Sequence, residues 1–344
     1  MGAIRISGTG SYVPEKVLTN HDLEKMVDTT DEWIVQRTGI RERRIAEPQE
    51  ATSDLAKHAS MEALEAAAMS PEDLDLIIVA TITPDMCCPA AANWLQAKLG
   101  AKNAVSFDVT AACTGFIFGL SIAEQYLKNG QYENCLVVGA EVVSRTVNWK
   151  DRASCILWGD AAGATVLNKS EKGAELLSTH IHSDGSAGRN LLLPGGGSAT
   201  TPISRNSVHK GLHYLKLIDP NKTFKVAVKQ FAESCEEAAA FNGYSVSDVD
   251  LIIPHQANIR ILHAFAQRLK IPTERVFVNI DKYGNSSAAT VPLALDQAVR
   301  SGRIHSGDKI ILTAFGGGLT WGSCLVRWHR PHATADPREA MVSG

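Results

Sequence analysis

The feature that most constrains the fold of this chain is an internal repeat of three apolar segments in the same order. The pairs are DLIIVA at Asp75 with DLIIPH at Asp250, FDV at Phe107 with VNI at Val278, and CLVVGA at Cys135 with KIILTA at Lys309. Each second member follows the first by roughly 170 residues, and a fixed spacing is the mark of a repeated unit. The repeat predicts two halves, 1–172 and 173–344. The alternative is a chance likeness between apolar strands.

The rest of the chain alternates short apolar runs with longer helical patterns. Further strand candidates begin near Ile4, Ala162, Val276 and Ser323, and helical stretches begin at Ser53, Thr114, Lys225 and Ala257. Such alternation predicts an α/β fold with largely parallel or mixed buried sheets. In a duplicated fold, equivalent strand ends converge between the halves, where we expect a cleft.

Composition removes several classes of protein. Hydrophobic residues make up 44% and charged residues 21%, which excludes intrinsic disorder and collagen-like chains. The formal charge of -3 gives no basic field for nucleic acid, and no apolar run is long enough to span a membrane. Seven cysteines without disulfide-framework spacing favour a reducing cytoplasm, and no secretory signal is evident.

Cys113 lies in a segment, VSFDVTAACTGF, that passes from a predicted strand through a turn of small residues into a helix. A thiol at a helix N-terminus is close to unpaired N–H groups, which lower its pKa and favour the nucleophilic thiolate. The alternative is a buried small hydrophobe, the commonest fate of a free cysteine. Cys87 and Cys88 are adjacent and lack metal-ligand spacing, so no metal site is predicted.

Three other segments carry candidate chemistry at predicted strand ends. His255 follows the strand LIIP, Asn285 lies in the turn YGNSS, and Gly316, Gly317 and Gly318 form a loop. Each has a structural alternative, since a lone histidine is usually structural and Gly-Asn usually forms a turn. Together with Cys113 they form a set that could make an acyl thioester and attack it.

With these residues identified, the chain resembles the ketoacyl-ACP synthase III family of the thiolase superfamily, the initiating condensing enzymes of type II fatty-acid synthesis. The motifs are DTTDEWIVQRTGIRERR, DVTAACTGF, GDAAGA, HQANIRI, YGNSSAAT and FGGGLTWGS, and they span nearly the full chain. The resemblance implies a duplicated αβαβα layered fold with two pseudo-symmetric halves. It also implies condensation of an acyl-CoA primer with malonyl-ACP to give 3-ketoacyl-ACP, CoA and CO2.

The resemblance implies a role for each residue of the site. Cys113 would carry the acyl group, and His255 and Asn285 would donate hydrogen bonds to the malonyl thioester oxygen. Backbone N–H groups of Cys113 and of Gly316 to Gly318 would form the oxyanion hole. Acyl-CoA is then a substrate, and neither a metal nor another cofactor is needed.

The resemblance also implies where CoA binds. Trp33 and Arg37 are four residues apart on one helix face and could stack on adenine or only on each other. In the family, matching residues hold the nucleotide together with an arginine that matches Arg152, and Thr29 lines the same tunnel. Thr29 with Glu32 also forms a capping-box pattern that predicts a helix ending at Gly39.

The remaining implied contacts concern the carrier protein and the acyl group. Arg260 and Arg268, eight residues apart on the helix after His255, would meet acidic ACP. Phe315 and Cys88 would line the acyl pocket, with Cys88 flooring the pocket of a partner subunit in a homodimer. We align Cys88 with a phenylalanine of acetyl-selective members, so its smaller side chain predicts room for a longer or branched primer.

Two other functions compete with the initiation of fatty-acid synthesis. Within the same fold, a relative in secondary metabolism could transfer an acyl group to another nucleophile or prime a polyketide. A scaffold that binds acyl-CoA or ACP without turnover is the alternative from a different class. Retention of Cys113, His255 and Asn285 argues against the scaffold, because a binding protein does not need them.

Overall fold

The computed structural model describes residues 2–199 and 202–329. The strands are β1 (Arg5–Tyr12), β2 (Val17–Thr19), β3 (Glu42–Arg44), β4 (Leu76–Ala80), β5 (Val105–Val109), β6 (Asn134–Glu141), β7 (Ala161–Asn168), β8 (Ala174–Ser183), β9 (Leu191–Leu192), β10 (Lys216–Leu217), β11 (Leu251–Pro254), β12 (Lys309–Gly316) and β13 (Thr320–Arg327). The α-helices are α1 (Asn20–Glu24), α2 (Asp31–Thr38), α3 (Thr52–Ala67), α4 (Ala91–Leu99), α5 (Gly115–Asn129), α6 (Arg152–Cys155), α7 (Arg205–His209), α8 (Pro220–Phe241), α9 (Ile259–Leu269), α10 (Ile280–Tyr283) and α11 (Thr290–Arg300). Within the described ranges, no helix is both long and apolar enough to span a bilayer.

One mixed sheet organises the molecule, in the strand order β11-β12-β13-β8-β1-β7-β6-β4-β5. On one side, β4 is parallel to β6, and β7 and β1 follow as antiparallel neighbours. On the other side, β11 is parallel to β12, and β13 and β8 follow in the same antiparallel sense. The first run of strands (β1, β7, β6, β4 and β5) and the second run (β11, β12, β13 and β8) join where β1 pairs antiparallel with β8. The same pairing pattern therefore occurs on both sides of the junction.

Helices cover both faces of each run, which explains why the core strands have continuous apolar sequences. In β4, Leu76 and Ile78 face a central layer formed with α5 and α11, whereas Ile77 and Val79 face α3 and α4. On the other run, Ile253 of β11 faces the same central layer, and α8 and α9 cover the opposite face. The order of layers is thus helix, sheet, helix, sheet, helix.

The predicted α/β class and layered fold are confirmed, with two local differences. The strand predicted at Val276 is wrong, because only Val276 itself makes a bridge, with Ile252, before α10 begins. Among the described strands the longest, β8, was not predicted, because in its sequence AELLSTHIHS buried positions alternate with half-buried ones and polar residues interrupt any apolar run. The division of the chain at residue 172 stays a prediction.

Candidate active site

The candidate nucleophile Cys113 lies in a 3-10 turn, Ala112–Thr114, between β5 and α5. Ala112 has a φ of 47°, in the left-handed region that residues with a Cβ rarely adopt. The turn is held by the other sheet run, since the Thr320 hydroxyl donates to the Ala111 carbonyl over 2.9 Å and Thr114 Oγ1 donates to the Thr320 carbonyl over 3.1 Å. The backbone thus holds the thiol at a fixed point between the two runs.

The protonation state of Cys113 differs from the expectation. Its side chain is 5% exposed, and burial raises the pKa of the thiol to about 12, against the lowering expected from a helix N-terminus. Removal of a thiolate from water is the largest cause of this rise, and the hydrogen bonds with the Ser287 side chain and the Cys113 backbone lower the pKa by less. The resting residue is therefore a neutral thiol.

His255 follows β11 directly and is held at two points. Its backbone N–H donates to the Thr313 carbonyl over 2.8 Å, which continues the ladder between β11 and β12. Its imidazole Nδ1 lies 2.6 Å from the Thr290 hydroxyl, and that hydroxyl donates to the Ser287 carbonyl over 3.0 Å. Burial lowers the pKa of His255 to about 3, so the ring is neutral at neutral pH.

Asn285 is fixed through both its backbone and its side chain. Its N–H donates to the Leu157 carbonyl over 2.8 Å, and its carbonyl accepts from the Gly159 N–H over 3.1 Å. Its Oδ1 accepts from the Ser287 N–H over 2.9 Å. Because the carboxamide oxygen is occupied in this way, the amide NH2 is the group left to act on a ligand.

The glycine loop approaches the nucleophile closely at one residue. A Cβ on Gly316 would lie 2.7 Å from the Cys113 nitrogen and 3.1 Å from the Thr114 nitrogen, so only glycine fits there. Gly316 and Gly317 line the cavity described next, whereas Gly318 is not among its lining residues. The loop therefore brings two of the three predicted glycines to the site.

A cavity of about 420 Å³ connects these groups. Cys113, His255 and Asn285 all line it, together with Phe315 and the first two glycines of the loop. The structure therefore brings together the three residues predicted to react, from the turn after β5, the end of β11 and the turn after α10. Phe315, predicted in the acyl pocket, lies on this wall and is 6% exposed.

Two of the four predicted CoA residues line the cavity, and the helix that carries them has a different cap from the predicted one. Trp33 and Arg37 line the cavity, and the Arg37 guanidinium lies 4.1 Å from the centre of the Trp33 ring. Arg152 lies 4.9 Å from the same ring and donates to the Asp28 carbonyl. The predicted end at Gly39 is correct, with a φ of 79°, but the cap is Thr30 rather than Thr29.

Thr29 does not line the cavity, but its side chain has a hydroxyl group available for a hydrogen bond. Its hydroxyl oxygen is buried and has no hydrogen-bond partner among the residues that the structure describes. Arg152 is likewise not part of the cavity wall, although its neighbour Ala153 is. Of these two residues, Arg152 contacts the Trp33 ring, and Thr29 precedes Trp33 by four residues in the chain.

The residues predicted to contact the carrier protein differ in their surroundings. Arg260 is exposed and lines the cavity mouth. Arg268 is exposed but forms an ion pair with Glu233 over 3.5 Å, and Lys229 lies 3.8 Å from the same carboxylate. Cys88 is exposed on the loop between β4 and α4 and does not line the cavity.

Sequence reasoning missed several residues of the site. Asn258 caps α9 and donates to the Arg37 carbonyl over 2.9 Å, which ties α9 to the helix that carries Trp33. Phe224 and Phe231 of α8 form a further cavity wall. Their helical spacing in the sequence was visible, but spacing alone cannot tell a helix face that lines a cavity from one that packs in a core.

Comparison with known proteins identifies the family. The family model of 3-oxoacyl-(acyl-carrier-protein) synthase III matches residues 107–185, and the model of its C-terminal part matches residues 239–328. The beta-ketoacyl-(acyl-carrier-protein) synthase III of Caldanaerobacter subterraneus is 52% identical over 328 residues, covering 95% of this chain and 98% of the relative. The chain belongs to the 3-oxoacyl-ACP synthase III family. It is therefore a condensing acyltransferase.

Solved structures agree with this family. The 3-oxoacyl-(acyl-carrier-protein) synthase III from Aquifex aeolicus has a TM-score of 0.86 and 47% identity, covering 94% of this chain and all of that one. The priming β-ketosynthase of the R1128 polyketide pathway has a TM-score of 0.87 and 34% identity, covering 95% of this chain and 97% of that one. The fold is thus shared by a 3-oxoacyl-(acyl-carrier-protein) synthase III and by a priming enzyme of a polyketide pathway.

Proposed function

We propose that this enzyme condenses an acyl-CoA primer with malonyl-ACP through an acyl-Cys113 intermediate, and so initiates fatty-acid synthesis. The observation that carries this proposal is the single cavity lined by Cys113, His255 and Asn285. A thiol nucleophile beside two neutral hydrogen-bonding groups suits thioester exchange followed by enolate stabilisation. Identity of about 50% to beta-ketoacyl-ACP synthases III, against 34% to the polyketide priming enzyme, favours fatty-acid initiation.

In the first half-reaction, the Cys113 sulfur attacks the acyl-CoA carbonyl carbon. A new carbon–sulfur bond forms, the bond to the CoA sulfur breaks, and the thiol proton ends on the departing CoA. The close approach of Gly316 to the Cys113 nitrogen leaves that N–H free of side chains, which suits a donor to the developing oxyanion. Gly317 continues this wall, and Gly318 has no part in the proposed hole.

In the second half-reaction, the malonyl group loses CO2 and its carbon attacks acyl-Cys113. Negative charge develops on the malonyl thioester oxygen, and the Asn285 NH2 is the donor that its own hydrogen bonding leaves available. His255 supplies the second donor from Nε2 once the Thr290 hydroxyl turns from the Ser287 carbonyl to donate to Nδ1, because a neutral ring carries one proton. As the new carbon–carbon bond forms, the carbon–sulfur bond to Cys113 breaks, which gives 3-ketoacyl-ACP and a thiolate that takes a proton from water to restore the resting thiol.

The substrates enter, in this proposal, from the end of the cavity that holds Trp33. Trp33, Arg37 and Arg152 would bind the CoA nucleotide, and the unpaired hydroxyl of Thr29 would accept or donate one hydrogen bond there. Arg260 at the mouth would contact the acidic carrier protein. Arg268 would contribute less, because Glu233 already pairs with it.

Three further parts of the proposal rest on the family. The reaction uses acyl-CoA as a substrate and needs no resident cofactor, since thioester chemistry supplies the nucleophile and the leaving group. The enzyme acts as a homodimer in which the exposed Cys88 reaches the acyl pocket of a partner subunit, where it leaves room for a longer or branched primer. It works in the cytoplasm, where its seven free thiols stay reduced.

Intact mass spectrometry after incubation with acyl-CoA tests the intermediate. The wild-type enzyme is expected to gain the mass of one acyl group, and Cys113→Ala is expected to gain none, with condensation reduced by at least about 10³-fold. Cys87→Ala, which removes an exposed thiol, is the control and should keep the adduct. An adduct on Cys113→Ala, or none on the wild type, would overturn the proposal.

A second measurement separates the half-reactions. His255→Ala and Asn285→Ala should lower the release of CO2 from malonyl-ACP by about 10²-fold or more, because each removes one donor to the enolate. Both variants should still form the acyl-enzyme. Loss of acylation with normal CO2 release would contradict the proposed roles.

A further inference from the structure

Arg43 is a fully buried cation behind the site and has no place in the mechanism above. Its side chain is 0% exposed in β3, and its guanidinium donates to the Leu18 carbonyl, the Asn20 Oδ1 and the Ile156 carbonyl over 2.9 to 3.1 Å. All three acceptors are neutral; Asp31 is reached only through Asn20, over 2.8 Å. Burial of a cation without a directly bonded anion costs several kcal/mol, so an apolar residue would be favoured if only packing mattered.

The charged end of Arg43 holds the segment that binds the Asn285 backbone. The Ile156 carbonyl accepts from Arg43 Nη2 over 2.9 Å. The next residues, Leu157 and Gly159, supply the acceptor and the donor for the backbone groups of Asn285. Trp158, between them, forms a parallel bridge with Asn285. One guanidinium group therefore fixes the short segment with which the Asn285 backbone pairs.

The aliphatic part of Arg43 fixes the same place by packing. A Cβ on Gly159 would lie 3.0 Å from the Arg43 Cβ, and one on Gly284 would lie 3.4 Å from it. Gly284 has a φ of 63° and immediately precedes Asn285. The backbone on both sides of the Asn285 pairing thus lies against the Arg43 stem.

We propose that Arg43 is a positioning residue that sets the Asn285 carboxamide for decarboxylation and has no part in the acylation of Cys113. This inference rests on the proposed function of Asn285. The selectivity follows from the contacts: Arg43 bonds the Ile156 carbonyl next to the Asn285 segment, and its other acceptors, on Leu18 and Asn20, are not part of the Cys113 turn. That turn is held by Thr320 on β13. A displacement of about 1 Å in a reacting group can cost about 10²-fold in rate, so loss of this support should be visible in kinetics.

The test compares Arg43→Met and Arg43→Lys with the wild type in two assays. Arg43→Met keeps most of the stem and removes the charge and all donors. It should lower the turnover number for CO2 release from malonyl-ACP by about 10- to 100-fold at nearly unchanged KM, with acyl-enzyme formation within about twofold of wild type. Arg43→Lys keeps the cation but cannot reach three acceptors with one nitrogen, so an intermediate loss of CO2 release is expected. This variant also provides the test if Arg43→Met does not fold.

Arg44→Met is the matched control, because Arg44 is the next residue of β3 and donates to the Pro14 carbonyl instead. It should leave both assays unchanged. In the double variant Arg43→Met/Asn285→Ala, the loss should equal that of Asn285→Ala alone, since both act through one group. Normal CO2 release in both Arg43 variants, equal losses in both assays, or multiplied losses in the double variant would overturn the inference. Normal CO2 release by Asn285→Ala would instead overturn the proposed role of Asn285.

Discussion

The two runs of the sheet have the same type of backbone turn before a central helix, but only one of these turns carries a nucleophile. Each has a 3-10 turn before a central helix, Ala112–Thr114 before α5 and Ser287–Ala289 before α11. Each turn has a residue other than glycine at positive φ, Ala112 at 47° and Ser287 at 49°. The middle position is Cys113 in the first turn and the fully buried Ala288 in the second. A nucleophile is thus present in only one of two matching turns.

The strand ends show the reverse division. β4 and β11 begin the matching runs, and the position of His255 after β11 corresponds to Ala80 in β4. β12 ends at Gly316 and β6 ends at Glu141, and the register of these strands against β11 and β4 makes the two positions equivalent, one residue from the sequence match of Cys135 with Lys309. The second run therefore supplies the hydrogen-bonding groups and the glycine, Gly316, that lies against the Cys113 nitrogen. The first run supplies the thiol. This correspondence favours the duplication predicted near residue 172 and suggests that the chemistry was divided between its copies.

The largest effect is expected at Gly316, where a substitution changes the contribution of the second run to the site of the thiol. In Gly316→Ala, the new Cβ would lie 2.7 Å from the Cys113 nitrogen and obstruct the proposed oxyanion donor. Acylation of Cys113 should slow by about 10²- to 10³-fold, the cost of losing one such donor. Single-turnover acylation, followed by mass spectrometry, measures this rate.

Gly185→Ala is the control for that experiment, because a Cβ there meets no atom within 4 Å. It should acylate at the wild-type rate. If Gly316→Ala acylated as fast as Gly185→Ala, the second run would not contribute to the oxyanion site, and the proposed division would be wrong at this strand end.

How far the site could be predicted depends on where its residues lie in the chain. Cys113, His255 and Asn285 could be found because each follows an apolar run and matches a family motif. Thr290 could not, since its role arises from a contact between the start of α11 and the end of β11, which are distant in sequence. The pKa of Cys113 was wrongly predicted because a helix end is visible in the sequence, whereas burial is a property of the whole fold.

The fold shows the same limit. Strands buried on both faces, such as β4, could be predicted from composition alone because every position is apolar. The alternating strand β8, which completes the second run, could not be told from a loop by that signal. Arg43 was visible within a motif, but nothing in the sequence indicated that a charged residue would be fully buried.

A smaller effect is expected at Thr290, where the two runs differ at the start of the central helix. The matching residue in α5 is Gly115, where a Cβ would lie 2.9 Å from the Ala80 Cβ. Thr290→Val removes the hydroxyl that lies 2.6 Å from His255 Nδ1 and leaves a buried ring nitrogen without that partner. CO2 release from malonyl-ACP should fall by about tenfold.

Thr290→Ser is the matched control because it keeps the hydroxyl, and it should retain most of the rate. Acyl-enzyme formation should change little in either variant, since His255 is proposed to act on the malonyl group. A Val variant as active as the Ser variant would show that His255 does not depend on Thr290 for its orientation or tautomer.

The smallest effect concerns Glu141, the residue that stands where the second run has Gly316. Its carboxylate is fully buried and accepts hydrogen bonds from the hydroxyls of Thr81 and Thr83 and from the Ile82 N–H. Burial raises the pKa of Glu141 from 4.5 to about 7. The folded state therefore binds this proton more tightly than the unfolded chain, and the stabilisation is fully present only below about pH 4.5.

The contribution of Glu141 to the free energy of unfolding should fall as the pH rises from about 4.5 to 7, by at most about 3 kcal/mol. Glu141→Gln does not titrate, so its urea-unfolding free energy should fall less than that of the wild type between these pH values. Asp160, whose pKa burial raises to about 6, is present in both proteins and cancels in the difference. Glu72→Gln, at an exposed position, controls for the loss of one carboxyl group. Parallel pH profiles for wild type and Glu141→Gln would show that burial does not raise the pKa of Glu141. The two strand ends would then not differ in their effect on the pH dependence of stability.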